Sequence, residues 1–253
     1  MPKNIKLDIL LALFSVFITF VTIYSRKYID KKTVESLGIR DKKSAVKNTL
    51  AGFTISFILV LIVILIEISF GWLTISFNEI DLAAMLPKLL FLLFVSGLAV
   101  AWWENLYILS YLFLNLKDGC GFWCAVVINT LIASGLHLSN PNATVLSFVG
   151  ICIIHLYELY ALLRTRSLWL VLGTHAGWNF FQGLFGFSVS GLTDIQVLSQ
   201  VNNTPSLFGG GEFGPEAGLV IFITGPIAYF LINHFTRLTK SNYKINTDDL
   251  IAD

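Results

Sequence analysis

The sequence predicts an all-α fold, a polytopic membrane helix bundle of about seven transmembrane helices. Three observations predict it. The mean hydropathy is +0.75 and only 13% of residues are charged, where a soluble domain carries about a quarter. The apolar residues fall in long blocks, and crossing a bilayer takes about 20 of them in a row. Lys and Arg gather in alternate loops, the charge pattern of a chain threaded back and forth through a membrane.

The apolar blocks are Leu7–Tyr24, Leu50–Ile68, Pro87–Tyr111, Phe122–Leu138, Thr144–Leu163, Leu168–Phe187 and Ala217–Phe235. In lipid each has to be helical, because its backbone N–H and C=O groups find no water there. Lys3 and Lys6 precede the first block, which gives it the outline of a signal peptide. No small-residue cleavage site follows, however. Arg26, Lys27, Lys31 and Lys32 follow instead, as at the cytoplasmic end of a retained span.

The first loop also carries Arg40, Lys42, Lys43 and Lys47. Lys117 falls in the third loop, Arg164 and Arg166 in the fifth, and Arg237, Lys240 and Lys244 in the tail. Odd loops and the C-terminus are therefore expected in the cytoplasm and the N-terminus outside. Only Lys3, Lys6 and Lys88 stand against this. Trp72, Trp123 and Trp169 fall near block ends, where interfacial indoles sit. The basic stretch Ser25–Lys47 is expected to lie along the inner membrane surface. The loop Ser188–Pro215 is rich in Gly and carries only Asp194 and Glu212 as charges. On this reading residues 1–48 hold the first span and a basic cytoplasmic loop, and residues 49–85 the second span and an outer loop. Residues 86–235 form a membrane core, and residues 236–253 a cytoplasmic tail.

A net charge of +1 argues against nucleic acid as partner. Cys120, Cys124 and Cys152 lack metal-knuckle or redox spacing and read as packing residues. Pro226 is the only proline inside a block, and without a symmetric counterpart it gives no support to a transporter built from repeats.

Ionisable side chains at membrane depth are costly and mark function. Five stand out: Glu104, His137, His155, Glu158 and His175, joined by the amides of Asn105, Asn129 and Asn179. His175 and Asn179 are four residues apart and share a helix face. They suit an oxyanion hole, a metal face or a plain interhelical hydrogen bond. Glu104, flanked by Trp102 and Trp103, is a desolvated carboxyl fit for general acid–base work, or one paired with an amide such as Asn129. His137 shares a face with Asn129 and Ala133, and it also fits an interfacial histidine.

Counting about 1.5 Å per residue from Lys117, Glu104 lies about 20 Å deep and His137 about 30 Å. The two meet only if Lys117–Trp123 runs along the surface. His155 and Glu158, three apart, have the spacing of metal-binding bundles. The nearness of Arg164 points instead to Glu158 at the inner interface with a basic partner.

In order along the chain, "ENLYIL" at Glu104–Leu109, "ASGLH" at Ala133–His137 and "HAGWN" at His175–Asn179 resemble the CPBP family. This family comprises the CAAX-prenyl-protease and bacteriocin-processing (Abi) membrane proteins. Its pattern is Glu-Glu-x-x-x-Arg, then Phe-x-x-x-His, then His-x-x-x-Asn or Asp. "LGI" near Leu37, "LLRTRSLWLVLGTHAGWNFFQG" at Leu162–Gly183 and "FGPEAGL" at Phe213–Leu219 also look similar. The resemblance spans roughly Leu86–Phe235. Asn105, Leu109 and Ala133 depart from it, and the first two exchange a Glu and an Arg for uncharged residues.

The resemblance implies an intramembrane endopeptidase acting within or at the inner face of the membrane. Glu104 and His137 would activate water, and His175 and Asn179 would hold the oxyanion. The substrate would be a membrane-anchored peptide or protein, of CAAX or leader-peptide type, at the cell membrane. No cofactor is expected; the alternative is zinc or another divalent metal at Glu104, His137 and His175. The alternative function is a catalytically degenerate scaffold or bacteriocin self-immunity protein of the same fold.

Overall fold

The computed structural model describes residues 5–40, 42–76, 82–192 and 196–240. Lys3, Asp194, Lys244 and the tail from 241 onward lie outside the described residues.

A helix occupies every apolar block. α1 (Ile5–Tyr24) continues through a π-helical segment, Ser25–Ile29. α2 spans Lys42–Ser69. The third rod is composite. It runs through α3 (Leu82–Phe91), a π segment (Leu92–Ala99), α4 (Val100–Trp103), a second π segment (Glu104–Leu112) and α5 (Phe113–Cys120). α6 (Phe122–Leu136) ends in the 3-10 turn His137–Ser139. α7 (Val145–Thr165) and α8 (Leu168–Leu184) follow. The short α9 (Ser206–Gly209) and two 3-10 turns lead to α10 (Ile221–Leu238). Beyond the bundle, β1 (Leu73–Ser76) pairs antiparallel with β2 (Ser199–Asn202), Leu73 opposite Asn202.

The chain is a helical membrane bundle. Among the described residues, five stretches are long and apolar enough to cross a membrane: Ile9–Ile29, Ser44–Ser69, Met85–Cys120, Phe122–Ser139 and Val145–Thr165. α8, at 17 residues, is shorter than each of these stretches, and α10, at 18 residues, is less apolar. Every residue of α8 is buried or half-buried. It is the central helix, so its sequence can carry His175, Asn179 and Gln182 in place of lipid-facing residues. α10 carries Thr224, Asn233 and His234 and is interrupted by Pro226. α1 is the opposite case, with Leu10, Leu13, Val16, Phe17 and Phe20 all exposed, as a helix facing lipid requires.

The closest helix pair is α2 with α8. A Cβ on Gly173 would run into the Thr49 backbone, one on Gly52 into Leu170 and Thr174, and one on Gly177 into Phe53. Small residues four apart let two backbones touch, which drives association where lipid removes the hydrophobic incentive. The Ser56 hydroxyl seals the contact by donating to Thr174 O at 2.5 Å.

At the end of the bundle that carries the basic loops, the chain tucks inward. The segment Ser25–Lys47 was expected along the membrane surface, yet Arg26 is fully buried. It donates from Nε to Ser36 Oγ at 2.8 Å and lies 3.4 Å from Asp30 Oδ2. A 3-10 turn, Val34–Leu37, pushes Leu37 into a cluster with Leu109, Phe113, Leu162 and Leu168. Gly38 takes φ 85° at the exit, a conformation open to glycine, and its carbonyl accepts from Leu168 N at 3.0 Å.

The surface run proposed for Lys117–Trp123 is absent. Residues up to Cys120 are helical, and Gly121 alone, at φ 85°, turns the chain into α6. This corrects the depth comparison. Glu104 lies 17 residues before Gly121 and His137 16 residues after it. Both therefore stand about 25 Å from a shared turn, at the same level.

Candidate active site

Glu104 is the first residue of the second π segment. Such wide turns recur at functional sites, because they re-aim side chains off the regular helical stripe. α8 presents His175 and Asn179 one turn apart. His137 closes α6, where its Nδ1 contacts Ala133 O at 2.9 Å. A carbonyl only accepts, so Nδ1 carries a proton, and in the neutral ring the lone pair is on Nε2.

All four side chains line one cavity of about 260 Å³, together with Asn105, His155, Glu158 and Glu216. His175 is its centre. Nε2 lies 3.6 Å from Glu104 Oε2. On the other edge, Nδ1 is 3.1 Å from Asn105 Oδ1 and 3.7 Å from Glu158 Oε1. Asn179 donates one amide hydrogen to Ser96 O at 3.2 Å, and a primary amide has a second to give.

Asn129 does not pair with Glu104. Its Nδ2 donates to Ile108 O at 2.8 Å, and its Oδ1 meets His155 Nε2 at 2.7 Å. His155 is thereby held as a buried structural partner of α6. Glu158 is not interfacial. It is 4% exposed and faces the cavity rather than the basic loop, because the turn of α7 that carries it points at α8. Leu109 stands where the resembled pattern has Arg, and it is packed in the main hydrophobic cluster.

Glu216 was not singled out from the sequence. Its Oε1 accepts from Trp178 Nε1 at 2.8 Å and Gln182 Nε2 at 3.1 Å, and its Oε2 from Ser190 Oγ at 2.6 Å. It ties the loop before α10 to α8 on either side of Asn179, at Trp178 and Gln182. Gly150 lets this loop touch α7, since a Cβ there would collide with Glu216 O. The sequence signal was a carboxylate embedded in "FGPEAGL", a segment otherwise apolar or Gly/Pro.

The loop residues that line the cavity are Asn140, Val189, Ser190, Leu192 and Glu216. All belong to the end of the bundle opposite the basic loops. Among the described residues no group of three His, Cys, Asp or Glu side chains is placed to hold a metal ion; Glu104, His137 and His175 do not form one. The three cysteines are free thiols.

No curated protein and no solved structure matches the chain. A family model does: Rce1-like, type II CAAX prenyl endopeptidase, over residues 86–181. The matched segment contains Glu104, His137, His175 and Asn179, and it supports, at family level, a CAAX-type intramembrane endopeptidase. The stretch that matches the Rce1-like model thus holds all three quoted motifs, which is the part of the chain where the resemblance to the CPBP family stands.

Proposed function

We propose that the protein is an intramembrane endopeptidase that hydrolyses a peptide bond in a membrane-associated substrate of CAAX or leader-peptide type. One observation carries this proposal: Glu104, His137, His175 and Asn179, from three separate rods, line a single cavity, with Glu104 Oε2 3.6 Å from His175 Nε2. Four such groups in an oily interior are expensive unless they serve chemistry.

Glu104 takes a proton from a water molecule, which attacks the scissile carbonyl carbon. His137 Nε2 accepts a hydrogen bond from that water and orients it. The carbonyl oxygen becomes an oxyanion. It receives the second hydrogen of Asn179 and, when the ring holds both protons, that of His175 Nε2. Donors fixed in place inside a low-dielectric site stabilise this charge strongly. Glu104 then passes its proton to the leaving nitrogen, the C–N bond breaks, and an acid and an amine are released.

The proposed reaction runs on these side chains without a bound metal, so chelator treatment is expected to leave the rate unchanged. The proposed orientation has the N-terminus outside and the C-terminus in the cytoplasm of a cell membrane.

The test is hydrolysis of a panel of membrane-tethered peptides by the purified protein, beside Glu104→Gln and His175→Ala. Glu104→Gln is expected to lower kcat about a hundredfold to ten-thousandfold with unchanged thermal unfolding. Equal turnover by all three proteins removes the enzyme reading. No turnover by any of them favours a scaffold of the same fold.

A further inference from the structure

Of the three carboxylates in the cavity, two have assigned work. Glu104 faces His175 Nε2, and Glu216 has both oxygens engaged by Trp178, Gln182 and Ser190. Glu158 has none. It is 4% exposed, its Oε1 is buried without a hydrogen-bond partner, and that oxygen lies 3.7 Å from His175 Nδ1. A buried carboxylate left unpaired costs several kcal/mol, so its position against an imidazole calls for a reason. The amide beside it has the same peculiarity. Asn105 Oδ1 meets His175 Nδ1, while Asn105 Nδ2 is buried without a partner.

The geometry points to Glu158 as a positioning residue for His175, supplying from α7 the negative charge behind Nδ1 that the neutral Asn105 amide cannot supply. Asn105 Oδ1 fixes the direction of the Nδ1–H bond. Glu158 adds the charge that keeps the ring oriented and, when it donates from Nε2, compensates the positive imidazole. A carboxylate behind the far nitrogen of a working histidine does this elsewhere, by holding tautomer and orientation rather than by touching substrate. The inference rests on the proposed peptidase chemistry for its kinetic consequence, but not for its structural one.

The test moves the carboxylate. Glu158→Gln keeps shape and removes charge. Asn105→Asp in the same chain puts a carboxylate oxygen where the amide oxygen now sits. For Glu158→Gln, kcat is expected to fall about tenfold to a hundredfold, with KM within about twofold. The double variant Asn105→Asp/Glu158→Gln is expected to recover most of the loss. Wild-type kcat in Glu158→Gln, or a loss that the double variant does not recover, overturns the proposal.

The 15N signals of the His175 ring, identified by their loss in His175→Gln, give a readout independent of turnover. Glu158→Gln is expected to shift them and the double variant to return them. Unmoved signals overturn the pairing whatever the kinetics. A shift that the double variant reverses, in a protein that cleaves no peptide, upholds the pairing and sinks the peptidase reading alone.

Discussion

The two ends of the bundle are built on opposite plans. At the end with the basic loops, Leu37, Leu109, Phe113, Leu162 and Leu168 form a closed apolar plug, and even an arginine, Arg26, is buried beneath it. At the other end, Asn140, Ser190 and Leu192 rim the cavity. Asn140 Nδ2 donates to Ser190 O at 2.9 Å, and Leu192 is 50% exposed. The difference teaches that polar chemistry inside the bundle is insulated on one side by hydrocarbon packing and served on the other by loops. Stability and access are assigned to different ends.

The comparison breaks most directly in a labelling experiment. In a chain freed of Cys120, Cys124 and Cys152, Leu192→Cys is expected to react with a membrane-impermeant maleimide in intact spheroplasts, and Thr239→Cys only after lysis. The contrast is all or none, and the reverse pattern would put the open end in the cytoplasm. A smaller effect tests the plug. Leu37→Ala empties a fully buried site, which costs about 2–5 kcal/mol, so thermal unfolding should come markedly earlier while kcat of the folded fraction holds. An unchanged melting temperature would mean that the plug does not bear on stability. Smallest of all, Leu192→Ala at the rim should alter stability by no more than about 0.5 kcal/mol. Its effect belongs in KM, and a large drop in melting temperature would show the rim to be structural.

The separation of these ends was only partly legible in the sequence. Helix positions followed from apolar length, because lipid leaves the backbone no other solution. Ionisable residues in apolar blocks marked Glu104, His137 and His175 only together with His155 and Glu158, and it was the resemblance to the CPBP family that grouped Glu104, His137, His175 and Asn179. The plug was not visible, since basic residues around Leu37 read as a surface strip. Lys27 and Lys31 are exposed, while Arg26 and the turn at Leu37 are buried. Glu158 was misplaced because distance along a helix from Arg164 says nothing about which neighbour its face meets. Only the packing of α7 against α8 decides that.

Glu216 depends on a loop closing over α8 from 38 residues beyond Trp178, a long-range contact without local signature. α8 itself was read as an ordinary span. Its burial on all sides depends on α2, and the glycines that permit this, Gly52, Gly173 and Gly177, become meaningful only as a set. Asn105 stood out as a lost charge, but its sharing of His175 Nδ1 with Glu158 depends on α7 packing beside α8 and had no local signal.

The Gly121 hairpin has a consequence for how this sequence can change. Glu104 and His137 are level because the two arms measure nearly the same length from one bend. One residue added to a single arm would slide its side chain by about 1.5 Å and swing it through about a quarter-turn, out of reach of its counterpart. Insertions and deletions here are tolerable only as matched pairs, one in each arm. The bend behaves like the pivot of a pair of dividers, whose points stay aligned only while both legs are cut to equal measure.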